Sequence, residues 1–185
     1  TDLRGKTLGI IGAGRIGSRV AEIARLGLGM KIVYTSRKPD AGLSECCQAP
    51  FLPLDQLLKQ ADVVSLHVPL TKETHHLLST EQFALMKKTA FVINTARGSI
   101  VDEKALLRAL KTGRIAGAAL DVFEAEPAID TDTSDKLALR ELPNTVLTPH
   151  IASATIQTRE AMSRLAAANI VAVLSGEPPL TPAGE

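Results

Sequence analysis

Tryptophan is absent from the 185 residues, and only one tyrosine and four phenylalanines are present. So few rings give no stacking platform for nucleic-acid bases. No sign of charge dominates: 21 Lys and Arg stand against 20 Asp and Glu, a net charge of +1. A bulk field that would recruit DNA or an anionic membrane is therefore excluded. No apolar run approaches the roughly 18 residues that span a bilayer, and no signal-peptide pattern opens the chain. The only two cysteines, Cys46 and Cys47, are adjacent. Vicinal cysteines rarely close a disulfide and two ligands make no zinc site, so free thiols in a reducing cytoplasm are expected. A chain of this length with 45% hydrophobic residues suits one globular domain with a sizeable core.

Short apolar runs alternate with helical patterns. Leu8–Ile11, Lys31–Tyr34, Asp62–Val68, Ala90–Asn94, Ile115–Val122 and Thr145–Leu147 read as strands. Ile16–Leu26, Pro53–Lys59, a segment capped by Ser79 with Gln82 three residues on, Asp102–Thr112 and Ser153–Leu174 read as helices. Alternating strands and helices predict an α/β fold: a doubly wound parallel sheet of the Rossmann type, helices on both faces, strand order 3-2-1-4-5-6. The dinucleotide-binding domain is expected over residues 1–175 and a fraying tail over 176–185. Ala128–Arg140, polar and acidic, reads as a mobile loop.

Gly12–Gly17, with the sequence GAGRIG, follows a strand and opens a helix, the context in which the fingerprint binds a dinucleotide. Gly12 permits the tight turn, Gly14 lets the backbone approach the pyrophosphate and Gly17 lets the helix pack closely. Arg15 and Ile16 lie between them at the helix N-terminus, whose amides and dipole suit an anion. An NAD site places a carboxylate about 20 residues on. Here the second strand ends in Ser36-Arg37-Lys38, and the nearest acid, Asp40, lies beyond Pro39. Ser36 can hydrogen-bond a 2′-phosphate and Arg37 can pair with it. NADP(H) is therefore the expected cofactor, with NAD(H) possible.

Three further motifs follow: NTARGS at Asn94–Ser99, DVFEAEP at Asp121–Pro127 and TPHIASAT at Thr148–Thr155. Hydride transfer from a dinucleotide to a carbonyl requires a group that fixes the substrate, a polariser for the carbonyl and a proton donor. The planar fork of Arg97 serves the first two. His150 titrates near neutrality and suits the third, and Glu126 can fix its tautomer. Glu124 is the competing carboxylate. His75 and His76 read as surface residues.

The four motifs in this order resemble the D-isomer-specific 2-hydroxyacid dehydrogenases over essentially the whole chain. The Ser36-Arg37 pair and the C-terminal run from Ser153 resemble that family's glyoxylate/hydroxypyruvate reductases. The resemblance implies Arg97, Glu126 and His150 as the catalytic set. Among cofactor contacts it implies His67, Val68 and Pro69 along the adenosine half, with Thr74 at a ribose or phosphate. It further implies Thr95 and Ala96 beside the nicotinamide, joined by Arg97 and His150, and Asp121 at the carboxamide. Ala152 stands where many members have glycine. The implied partners are a small 2-keto or 2-hydroxy acid and a second copy in a homodimer, with neither nucleic acid nor membrane. Family members are nearly twice as long, so the substrate domain is expected to be absent. Related chemistries on the same frame are oxidation of 3-phosphoglycerate, phosphite or formate. A different class is a non-catalytic, cofactor-sensing interaction protein, for which the family's corepressors are the precedent.

Overall fold

The computed structural model describes residues 2–126 and 138–182. It divides into two compact units, Thr1–Pro149 and His150–Glu185.

The first unit is built on six parallel strands: β1 (Thr7–Ile11), β2 (Lys31–Thr35), β3 (Val63–Leu66), β4 (Phe91–Asn94), β5 (Gly117–Leu120) and β6 (Thr145–Leu147). Its described helices include α1 (Arg15–Leu26), α2 (Ala41–Cys47), α3 (Leu54–Gln60), α4 (Thr80–Leu85) and α5 (Glu103–Lys111). The doubly wound α/β fold with helices on both faces is as expected. The strand order is not: the sheet runs β2-β1-β3-β4-β5-β6, so the expected 3-2-1-4-5-6 is corrected. The cause lies under β1. A Cβ on Gly9 would come within 2.6 Å of Leu57 Cδ2, so α3 packs directly against the underside of β1. A right-handed crossover that uses this face carries the chain back past β1 and sets β3 on its far side.

The same path explains the two halves of the core. One cluster joins Leu57 and Leu58 of α3, Phe83 of α4 and Leu106 and Leu110 of α5 to Val64, Val92, Ala118 and Leu120 of the sheet. The other joins Ala21 and Ala24 of α1 and Leu43 of α2 to Leu8, Ile10, Ile32 and Tyr34. Of the described helices after β2, α3, α4 and α5 use the first face, while α2 packs with α1 on the second. On the second, among the described residues of this unit, an apolar groove of about 670 Å³ lies between α1 and the sheet, lined by Ile23, Val63, Phe91, Ile93, Ala119 and Val146 among others.

Helix α2 was not expected from sequence. Asp40 caps it, accepting from Leu43 N at 2.9 Å, and Tyr34 Oη accepts from Asp40 N at 2.8 Å. The capping residue at Ser79 is as read, with Gln82 Oε1 accepting from Ser79 N at 3.2 Å. Of the expected loop Ala128–Arg140, residues 128–137 lie outside the described residues. Residues 138–140 are helical, and Leu139 is buried in the core. Cys46 and Cys47 are free. Burial, aided by the hydrogen bond with Cys46, pushes the Cys47 thiol up to about 12.

Asp62, just before β3, ties three elements. Its carboxylate accepts from Thr7 N and from Lys87 Nζ, each at 2.8 Å. Burial works to raise its pKa. The hydrogen bonds from Lys87 and Thr7, with the charges of Lys87 and Lys6, outweigh burial and hold it below its ordinary 3.8. A depressed carboxyl stabilises the fold above the unfolded pKa, and that contribution is lost as pH falls through the folded value. Asp62→Asn should therefore cost about 1 kcal/mol at pH 7 and flatten the loss of stability below about pH 4. Urea unfolding of both forms at pH 7 and pH 3 checks this.

The second unit holds one long helix, α6 (Ile156–Leu174), capped by Thr155, which accepts from Thr158 N at 3.1 Å. Its last ten residues, from Leu165, carry no charge. The expected fraying tail is tied back through its described part: Asn169 Oδ1 accepts from Thr181 N at 3.0 Å, and Asn169 Nδ2 donates to Thr181 Oγ1 at 2.9 Å. Among the described residues no helix is long and apolar enough to cross a membrane.

Candidate functional site

In open parallel sheets ligands bind beyond the carboxyl ends of the strands, where the strand order reverses. That point here lies at β1, whose neighbours lead in opposite chain directions. Gly12 occupies it with φ of +103°, a conformation glycine adopts at little cost. Its N–H donates to Thr35 O at the end of β2 at 2.9 Å. A Cβ on Gly12 would come within 2.6 Å of His67 O and 2.8 Å of Val68 Cγ1, after β3. Gly12 thus locks three strand ends together. Gly17 seats the helix: its Cβ would stand 2.0 Å from Gly12 O. Gly14 is different, because a Cβ there meets nothing within 4 Å. The open space lies at the N-terminus of α1, where Gly14 caps without a side-chain hydrogen bond and the first turn holds no acid. A pyrophosphate fits there, beside the amides of Arg15, Ile16 and Gly17. Gly14→Ala should leave stability unchanged and weaken nicotinamide-dinucleotide binding about tenfold, roughly 1.4 kcal/mol; thermal melts and fluorescence titration read the two effects separately.

Ser36 and Arg37 follow β2 directly, beside this turn. The Ser36 hydroxyl donates to Lys38 O, which curls the segment. Asp40 is committed to the cap of α2, so its carboxylate serves the helix rather than the strand end. His67 is partly buried, and Ser65 Oγ lies 2.9 Å from its Nε2. Burial lowers its pKa below the ordinary 6.5, so a neutral imidazole faces the phosphate turn at pH 7. Pro69 and Thr74 shape the loop after β3. Thr74 Oγ1 donates to Pro69 O at 2.6 Å and accepts from Thr71 N at 2.7 Å, so the structure gives Thr74 a turn-closing role.

Thr95, Ala96 and Arg97 form the turn after β4. Sequence reading gave Asn94 no role, yet it shapes this turn. It is fully buried, its Oδ1 accepts from Ala96 N at 3.0 Å and its Nδ2 donates to Arg97 O at 2.9 Å. A buried amide ending a strand in the motif was the available signal. Arg97 is exposed, with Nη1 donating to Ala96 O at 2.6 Å. Asp121 stands at the next strand end, buried, its N donating to Asn94 O at 2.9 Å. Its Oδ1 accepts from Thr148 Oγ1 at 2.5 Å, a partner that sequence reading also passed over. Glu126 lies five residues on and accepts from Phe123 N at 2.9 Å.

The sheet edge therefore sets Ser36 and Arg37, the glycine turn, His67, the Arg97 turn and Asp121 side by side in strand order. His150 opens the second unit with φ of +54°. A non-glycine residue held there signals a constrained position.

Comparison with known proteins shows the family to which the chain is similar. The pattern described as "D-isomer specific 2-hydroxyacid dehydrogenase, NAD binding domain" matches residues 1–152. A glyoxylate reductase of Thermococcus litoralis is 51% identical over 179 residues, covering 96% of this chain and 51% of the relative. Among solved structures, D-lactate dehydrogenase with NAD+ from Lactobacillus jensenii superposes with a TM-score of 0.90 at 32% identity, over 100% of this chain and 57% of that one. The holo form of Rhodotorula graminis D-mandelate dehydrogenase gives 0.89 at 39% identity, over 100% and 53%. The chain spans about half the length of the curated relatives it matches. The match over residues 1–152 and the relatives near 50% identity show that the chain belongs to the D-isomer-specific 2-hydroxyacid dehydrogenase family.

Proposed function

We propose that this chain is the cofactor-binding domain, residues 1–175 with a tail to 185, of an NADPH-dependent reductase of glyoxylate or hydroxypyruvate. The observation that carries the cofactor preference is the end of β2. Ser36 and Arg37 stand there while Asp40, the nearest acid, is spent capping α2. A 2′-phosphate meets a cation and a hydroxyl and no carboxylate to repel it. The glyoxylate reductase name of several relatives near 50% identity supports the substrate class.

The dihydronicotinamide, when bound, supplies a hydride. The chain's own residues do the rest. Thr95 and Ala96 flank the ring and Asp121 takes its carboxamide. His67, Val68 and Pro69 line the adenosine half. Arg97 binds the substrate carboxylate and stabilises charge developing on the carbonyl oxygen. His150 delivers the proton to that oxygen, and Glu126 is the carboxylate that sets its tautomer. The substrate domain is supplied by additional polypeptide. The assembly is a homodimer, and two free cysteines suit a cytoplasmic setting.

The test is NADPH oxidation on addition of glyoxylate, hydroxypyruvate, or no acid, in the chain joined to the substrate domain of a glyoxylate reductase relative. The reading expects oxidation with either acid and no reduction of NADP+ by phosphite, formate or 3-phosphoglycerate. Reduction driven by one of those three, with no response to the keto acids, contradicts it.

A further inference from the structure

The turn that carries Arg97 and the loop that carries Glu126 are joined by a side-chain brace that the proposed chemistry does not use. We infer that His76 is a positioning residue, whose imidazole, bonded to Glu124, holds the Arg97 turn in register with the Glu126 loop. The inference rests on Arg97 being the substrate-carboxylate group.

Three sets of contacts place His76 there. First, its backbone runs alongside the Arg97 turn. His76 N donates to Ser99 O at 2.8 Å, Leu78 N to Ile100 O at 3.1 Å, and Asp102 N returns to Leu78 O at 3.0 Å. Second, its side chain leaves that segment and reaches the other loop, with Nε2 2.8 Å from Glu124 Oε1. Third, Glu124 is itself clamped to the start of α5. Its Oε1 accepts from Glu103 N at 3.3 Å, and its N donates to the buried Glu103 Oε1 at 2.7 Å. The imidazole thus ties the loop after β3, whose backbone is bonded to the Arg97 turn, to the strand-five loop, with His76 and Glu124 48 residues apart in sequence.

The backbone at His76 shows a constraint of the same kind. Its φ is +50°, a left-handed conformation a residue other than glycine or asparagine holds only when its surroundings impose it. The His75 ring stacks on it at 4.0 Å between centroids. Two loops that must meet one small substrate need relative placement finer than either achieves alone, and misplacement by about an ångström costs rate heavily. The pair is about one-third exposed, so the brace is modest in strength.

The experiment measures oxamate affinity, by quenching of bound-NADPH fluorescence, in the chain joined to the substrate domain of a glyoxylate reductase relative, for the wild type and for His76→Asn, His76→Gln, Glu124→Gln and Arg97→Ala. Asparagine tolerates the left-handed backbone and is too short to reach Glu124, so folding is kept. Glutamine can still donate to it. NADPH affinity in the His76 and Glu124 variants, and the thermal melt of Arg97→Ala, report an intact fold. We expect Arg97→Ala to abolish oxamate binding and His76→Asn and Glu124→Gln to weaken it about fivefold. His76→Gln should stay within about twofold of the wild type, and NADPH affinity should be unchanged in the His76 and Glu124 variants. Loss in Arg97→Ala with no change in His76→Asn overturns the positioning role alone. If His76→Gln falls as far as His76→Asn, the bond to Glu124 is not what matters, and the inference fails. Equal oxamate affinity, or none, in the wild type and Arg97→Ala overturns the reading of Arg97 and the positioning role with it.

Discussion

Gly98→Ala should destabilise the chain by at least about 3 kcal/mol and lower its melting temperature by about 10 °C. A Cβ at Gly98 would lie 1.9 Å from Phe123 C, 2.1 Å from Phe123 O and 2.4 Å from Glu124 N. All three are backbone atoms, so no side chain can rotate away, and the clash must be relieved by parting the two loops. Those loops are pinned from both sides. Gly98 and Ile100 are buried in the short helical turn Gly98–Ile100, and the Phe123 segment is held by Glu126 Oε1 and Glu103 Oε1. Overpacking of a compliant core costs about 1–3 kcal/mol, and a backbone-on-backbone contact stands at the upper end or beyond. Gly14→Ala is the control, since its Cβ meets open space. Equal melting temperatures for Gly98→Ala and Gly14→Ala would mean that the Arg97 and Glu126 loops are not pressed together in solution.

Replacing Arg97 by alanine should cost about a thousandfold in kcat/KM for glyoxylate, roughly 4 kcal/mol, in the chain completed by a substrate domain. Its guanidinium is exposed and, among the described residues, bonds only the adjacent Ala96 carbonyl, so removal should leave folding intact. The turn is set instead by the buried Asn94 amide, which bonds Ala96 N and Arg97 O. Arg97→Lys should recover only a small part of the loss, because an ammonium keeps the charge without the two-pronged geometry for a carboxylate. Steady-state rates across glyoxylate concentrations check both variants. A loss confined to NADPH affinity would assign Arg97 to the cofactor alone.

Much of this fold is legible from local pattern. The strands, four of the first-unit helices and the glycine turn follow from apolar spacing and from residues with one conformational use. Helix α2 escaped because AGLSECC carries Gly42 and no clear apolar stripe. Its stability comes from the Asp40 cap and from Leu43 and Cys47 reaching the core. The strand order escaped for a different reason. It depends on which face α3 covers, and that is decided by Leu57 meeting the bare backbone of Gly9, a contact across nearly fifty residues. The open groove on the other face follows from the same choice. At the site, motif residues Gly12, Arg97 and Asp121 fall on one sheet edge as expected. His76 read as a surface residue, because a partner 48 positions away leaves no trace in local sequence. Glu124 and Glu126 could not be ranked from residue type alone, and the structure separates them by their bonds: Glu124 goes to His76 and Glu103, Glu126 to Phe123 N.

The account's central claim is a cofactor domain built for NADPH, and paired titrations with NADPH and NADH, read by nicotinamide fluorescence, test it most directly. Wild-type chain should bind NADPH at least about tenfold more tightly, a margin of roughly 1.4 kcal/mol, and Arg37→Ala should erase that margin while leaving NADH affinity unchanged. Equal affinity for the two cofactors in the wild type, or a preference that survives Arg37→Ala, would contradict the claim and leave Ser36 and Arg37 as a solvated strand end.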